Sequence, residues 1–171
     1  MPLYSLAKLL FPVITCEGQL RDAVVLVKVD LTPASSVSRA TWKEVCQQSL
    51  ETLRRCVYLD KDLVLPVMGS AGAGETFFVA ASTDLERAEI MMKRIREQLE
   101  AGAGFQSAGD LKVSATAVPL PSREEGRPLE ELVQAVAERI KETAMSALGS
   151  KLGPERADGR ASAVKSQTET N

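Results

Sequence analysis

The chain contains no histidine, and that absence excludes more chemistry than any motif supports. Without histidine there is no Ser-His-Asp or Cys-His nucleophile and no His-ligated metal site. Cysteine is scarce: Cys16, Cys46 and Cys56 are three in 171 residues, with no Cys-x-x-Cys spacing. An odd count without a signal peptide points to a reducing compartment. Charge of one sign is lacking too. The 21 basic and 23 acidic side chains leave a net charge of −2, so nothing draws the chain generally to nucleic acid or an anionic membrane. No apolar run is long enough to span a bilayer. The first dozen residues lack a basic start ahead of their apolar stretch, so they do not read as a secretory signal. The expectation is a cytoplasmic protein with no membrane span and no internal repeat.

What is present is ordinary globular material, 44% apolar and 26% charged, enough for one domain and a terminal extension. Residues 3–10 predict a short helix closed by Pro12, with Leu3, Leu6, Leu9 and Leu10 on one face. That face is expected to pack on the domain or on a second copy, because Lys8 alone is little charge for a membrane-surface helix. Residues 23–30 are nearly continuous and β-branched, which predicts a central strand buried on both faces and ending at Asp30. Ser38 is the N-cap of a predicted helix over 39–57, with Trp42, Val45, Cys46, Ser49, Leu53 and Val57 inward. An apolar run over 63–68 and the stretch 72–83, which starts as a small-residue loop, becomes an aromatic and aliphatic strand and ends at a helix cap, read as a hairpin. Pro66 implies an edge or a bulge in the first of them. Thr83 and Glu86 have capping-box spacing. They open a helix with Leu85, Ala88, Met92, Ile95 and Leu99 inward, stopped by Gly102 and Gly104.

Residues 111–118 alternate as a half-buried strand. Pro128 then precedes a last helix that carries Leu129, Leu132, Val133, Val136, Ile140 and Ala144 on one face and is expected to end by Gly149. Residues 150–171 have no aromatics and few apolar residues, which predicts disorder. The divisions are a lead-in helix over 1–13, a domain over 14–149 and a tail over 150–171. The order β-α-β-β-α-β-α predicts an α+β sandwich with helices on a mainly antiparallel sheet, as in ferredoxin-like and nucleotidyl-cyclase palm folds.

The hairpin carries Ala73-Gly74-Glu75-Thr76-Phe77, which resembles a worn GGDEF signature. Over roughly residues 14–145 the chain resembles the GGDEF domain of diguanylate cyclases. The strand and helix start after the signature, the strand at Leu111 and the helix start at Leu129-Glu130-Glu131-Leu132 are similar in order and spacing. The resemblance implies that Asp30 takes the position of the family's first-strand acid and Glu75 the acidic third signature position. Both would then lie at one end of the sheet, where active members hold Mg²⁺ and GTP.

The departures are as specific as the likeness. Thr76 stands where the family has glutamate, and threonine neither carries that charge nor acts as a base. Ala73 replaces the first glycine and brings a Cβ toward the nucleotide. Residues 31–44 contain no Asn, His or Gly, so the family's guanine-reading segment is missing. Leu59 replaces the arginine of its inhibitory Arg-x-x-Asp motif, and its terminal Ala-Asp-x-Ala-x-Tyr ending is absent. The implied function is a GGDEF-like regulatory module in bacterial signalling without catalysis, metal or cofactor. It would act through protein partners, with a homodimer left open. A divergent GTP or cyclic di-GMP sensor or enzyme is one alternative. An unrelated ferredoxin-like domain for a small ligand or self-association is another. The plain roles of Asp30 and Glu75 are a loop-capping strand-end acid and a solvated hairpin charge. Cys46, Cys56, Met91 and Met92 read as core packing.

Overall fold

The computed structural model describes residues 2–58, 61–65, 74–102, 109–122 and 126–152. Its elements in chain order are α1 (Leu3–Ile14), β1 (Thr15–Cys16), β2 (Gln19–Leu20), β3 (Val25–Pro33), α2 (Arg39–Cys56), β4 (Asp62–Val64), β5 (Glu75–Ala81), α3 (Leu85–Glu100), β6 (Gly109–Ala117) and α4 (Leu129–Leu152). The main sheet runs β4-β5-β3-β6 and every neighbouring pair is antiparallel. Strands β3 and β4, joined through α2, straddle β5. Strands β5 and β6, joined through α3, straddle β3. Two interlocked split β-α-β units of this kind make the ferredoxin-like α+β arrangement.

Strand alternation gives the sheet two apolar faces. Val25, Val27, Val29 and Leu31 of β3, with Phe77, Val79 and Ala81 of β5, pack under α2 and α3. Val24, Leu26, Phe78 and Ala80 pack under α1 and α4. The sheet is therefore the middle of three layers. Met91 and Met92 are both buried in the α2/α3 layer. Leu85, expected inward, is exposed.

Several boundaries differ from the sequence reading. The first helix does not stop at Pro12; α1 passes through it to Ile14. Proline removes one helical hydrogen bond, but burial of Val13 and Ile14 offsets that loss. The terminal carbonyls also find donors. Thr15 Oγ1 donates to Phe11 O, Ser82 Oγ to Val13 O and the Arg21 N–H to Ile14 O. The small hairpin β1–β2 is an addition to the expected elements. Its turn residues Glu17 and Gly18 both have positive φ, 52° and 76°, as a two-residue type I′ turn requires. Strand β3 does not end at Asp30 but runs on to Pro33. The cap of α3 is Asp84, not Thr83: its carboxylate accepts from the Arg87 N–H at 2.8 Å. Helix α4 continues past Gly149 to Leu152, since one glycine costs a helix only about 1 kcal/mol. The cap at Ser38 is as expected, its Oγ accepting from the Thr41 N–H at 3.2 Å. Pro66 and Gly104, and all of the tail after Leu152, lie outside the described residues.

Gly109 opens β6 where β3 ends at Pro33. A Cβ there would stand 2.4 Å from the Thr32 carbonyl oxygen and 2.8 Å from Cζ3 of Trp42. Neither the strand backbone nor the half-buried indole can retreat far. Gly109→Ala should therefore lower unfolding free energy by about 1–3 kcal/mol, the usual cost of overpacking, read from chemical denaturation. An unchanged midpoint would show that the ends of β3 and β6 separate freely.

Candidate functional site

The residues singled out by the signature meet where β3 and β5 pair. The register sets Asp30 opposite Thr76 and Leu31 opposite Glu75. Successive side chains on a strand point to opposite faces. Asp30 and Thr76 therefore share the α1/α4 face, while Glu75 lies with Leu31 on the α2/α3 face. The two carboxylates occupy the same end of the sheet but different sides of it.

Asp30 is buried, and a buried carboxylate needs partners. Thr76 Oγ1 donates to Asp30 Oδ1 at 2.6 Å. Lys28 Nζ stands 3.3 Å from Asp30 Oδ2, with the two side chains 20% and 9% exposed. Lys28 is two residues back on the same strand and hence on the same face. Lys112 of β6 holds the register position across from Asp30. The signal for the Lys28 pair was present in the sequence as opposite charges at i and i+2 of a predicted strand, and it was missed. Beside this cluster a groove of about 460 Å³ runs between α4 and the sheet, with Leu26 and Phe78 along it and Lys28, Ser114 and Thr116 among its polar lining.

Glu75 is half-buried near α2. The thiol of Cys46 is pushed up to about 12, first by burial and then by the negative charge of Glu75. Burial also raises Cys56, against the pull of the Arg94 guanidinium. Arg94 closes the end of α2, its Nε and Nη2 donating to the Cys56 carbonyl at 3.0 and 2.6 Å. It also sits 5.0 Å from the centre of the Tyr58 ring. Cys16 is exposed.

The remaining signature positions divide simply. Gly74 is half-buried where the chain enters β5, and Phe77 is core. Ala73 lies outside the described residues, as do Leu59 and Asp60 of the inhibitory-motif position. Asp62 of that motif is buried and accepts from the Tyr58 N–H at 2.8 Å, a structural cap.

The arrangement does not fit Mg²⁺, the metal that the resemblance implies. That ion needs oxygen ligands in near-octahedral geometry. One oxygen of Asp30 accepts the hydrogen bond from Thr76, and the other faces an ammonium group that would repel a divalent cation. Glu75 is across the sheet. Among the described residues no three His, Cys, Asp or Glu side chains converge as metal ligands.

Comparison with known proteins adds little. No family model matches the chain, and no curated protein does. An EAL/GGDEF domain protein from M. capsulatus superposes with a TM-score of 0.44 at 16% identity, over 86% of this chain and 91% of that one. A hydantoinase/carbamoylase family amidase from Burkholderia ambifaria gives 0.35 at 17% identity, over 68% of this chain and 32% of the amidase. At those scores the fold assignment rests on the strand order and pairing described above.

Two outcomes follow from this geometry. Lys28→Met should cost about 1–3 kcal/mol in denaturant unfolding, because it leaves a buried carboxylate short of its counter-charge. Lys28→Met combined with Asp30→Asn should cost less than the two single losses added together; strict additivity would show that the pair is not coupled. The thiols give a pH dependence. Folding holds Cys46 protonated, so its contribution to stability is full below the ordinary thiol range near 9 and is lost as pH rises toward about 12, and Cys56, also raised by burial, acts in the same direction. A thiol-specific reagent at neutral pH should label Cys16 alone until the protein unfolds, and labelling of all three in the native state would contradict the burial.

Proposed function

We propose that this chain is a GGDEF-like module that does not turn over GTP and that acts through protein contacts, in the manner of a bacterial signalling component. The observation that carries the reading is the state of Asp30. The acid at the metal position of the resemblance is hydrogen-bonded to Thr76 and ion-paired with Lys28, and its expected companion Glu75 lies on the other face of the sheet. A carboxylate so neutralised is a structural group of the sheet. The missing guanine-reading residues in 31–44 support the same reading, since the segment instead completes β3 and opens α2. The divergent-enzyme alternative has no observation in its favour at this site.

Purified protein with GTP and Mg²⁺ should form no cyclic di-GMP, and calorimetry should detect no Mg²⁺-dependent GTP binding. Loss of a preorganised charge at a reacting phosphate commonly costs several kcal/mol of barrier stabilisation, roughly a hundredfold or more in rate. Misplacement of an unheld base adds to that cost. Ala73→Gly with Thr76→Glu should not rescue turnover, because the base would still be unbound. Turnover by the wild type that Glu75→Ala abolishes would replace this reading with the divergent enzyme.

A further inference from the structure

β6 is a nine-residue strand at the margin of the sheet. Among the described residues no strand pairs with its outer side. The opposite margin is β4, only three residues long, and short edges of that kind resist unwanted pairing. β6 has no such protection. It contains no proline, and its register against β3 runs without a bulge from Gly109↔Pro33 to Ala117↔Val25.

One hydrogen bond sets the phase of its outward groups. The Val118 N–H donates to the Val24 carbonyl at 2.9 Å, so the backbone groups of Val118 point toward β3. Along an antiparallel strand these groups alternate from side to side. Asp110, Lys112, Ser114 and Thr116 therefore bond β3. Gly109, Leu111, Val113, Ala115 and Ala117 turn their N–H and C=O groups to the open edge.

We infer that this edge pairs with β6 of a second copy of the chain, antiparallel about a two-fold axis at Val113. Such a contact uses the same surface twice, so the strand must be complementary to itself, and it is. Val113 is both an outward-facing residue and the midpoint of β6. An axis there matches all five outward residues of each strand and forms about ten hydrogen bonds. An axis at Leu111 would set Asp110 across from Lys112 of the other copy. It would match only three outward residues, and exposed ion pairs return little for that loss. With the axis at Val113, the larger Leu111 meets the small Ala115, and Val113 meets itself. On the other face Asp110 meets Thr116 and Lys112 meets Ser114, so the strand's two opposite charges never face a like charge. Leu111, Val113 and Ala115 are half-buried against the α2/α3 layer, and the partner strand covers their remaining exposure. A ladder of this length buries less than the ~1,000 Å² of a stable interface, so the dimer is weak and concentration-dependent. It names one partner for the protein contacts proposed above, yet does not use Asp30, Thr76 or Lys28, so either idea survives failure of the other.

Sedimentation velocity of the full chain from micromolar to millimolar concentration should show a monomer passing to a dimer. Val113→Pro removes an outward N–H and leaves the β3 ladder whole. It should keep the far-ultraviolet circular dichroism spectrum and weaken dimerisation by about tenfold or more, given the hydrogen bonds lost at the axis. Ser114→Pro, one residue on, should instead destabilise the fold. Val113→Cys in a Cys16→Ser background gives a second readout. The paired Cα atoms would be ~5.5 Å apart, within disulfide reach, so mild oxidation should link two copies. A protein that stays monomeric throughout overturns the proposal, leaving the edge to an extended segment of another protein or to none. A dimer that survives Val113→Pro in folded protein overturns it as well, as does a dimeric Val113→Cys variant that oxidation fails to cross-link.

Discussion

Strand β3 is hydrogen-bonded along both edges and covered on both faces, and the other layers take their places from it. A strand in that position has no solvent side. Val25, Val27 and Val29 supply one core, while Val24 and Leu26 begin the other. Only Lys28 and Asp30 interrupt the apolar run before Leu31. Two polar side chains in such a place need each other. An isolated buried carboxylate would lose far more in desolvation than folding could recover, so the pairing of Asp30 with Lys28 and Thr76 is a condition of the strand's position.

That condition also governs the chemistry at this end of the sheet. Alternation is strict at period two, and a shift of one residue exchanges the faces entirely. Asp30 and Glu75 can be neighbours along the sheet end and still be separated by the sheet itself. Glu75 is left among the groups of α2, where it raises the thiol of Cys46. Thr76 falls on the metal-position face, and it brings a hydroxyl proton where the resemblance would place a second carboxylate.

Two helix ends are closed from other parts of the fold. Helix termini leave carbonyls without partners, and here distant elements supply donors. Arg94 of α3 closes α2, and Ser82 at the end of β5 closes α1. Each bond spans a long stretch of chain, so each depends on the packed fold and cannot form in an isolated helix.

What the sequence determined by itself was the set of elements from β3 to α4, because the signals are local: near-continuous apolar runs for β3 and β5, alternation for β6, and a period of 3.6 for α2, α3 and α4. It determined the cap at Ser38 for the same reason. It carried the Lys28–Asp30 pair too, in spacing that was legible and went unread. Tertiary structure decided the rest. Whether Pro12 ended a helix depended on Val13 and Ile14 finding a core and on a donor from Ser82, nearly seventy residues away. Whether Asp30 ended its strand depended on β6 being there to pair as far as Pro33. Whether Asp30 and Glu75 shared a site depended on the β3–β5 register, which sets the face of each side chain. No local pattern fixes a register between strands more than forty residues apart; the two cores do, by requiring Phe77 on one side and Phe78 on the other.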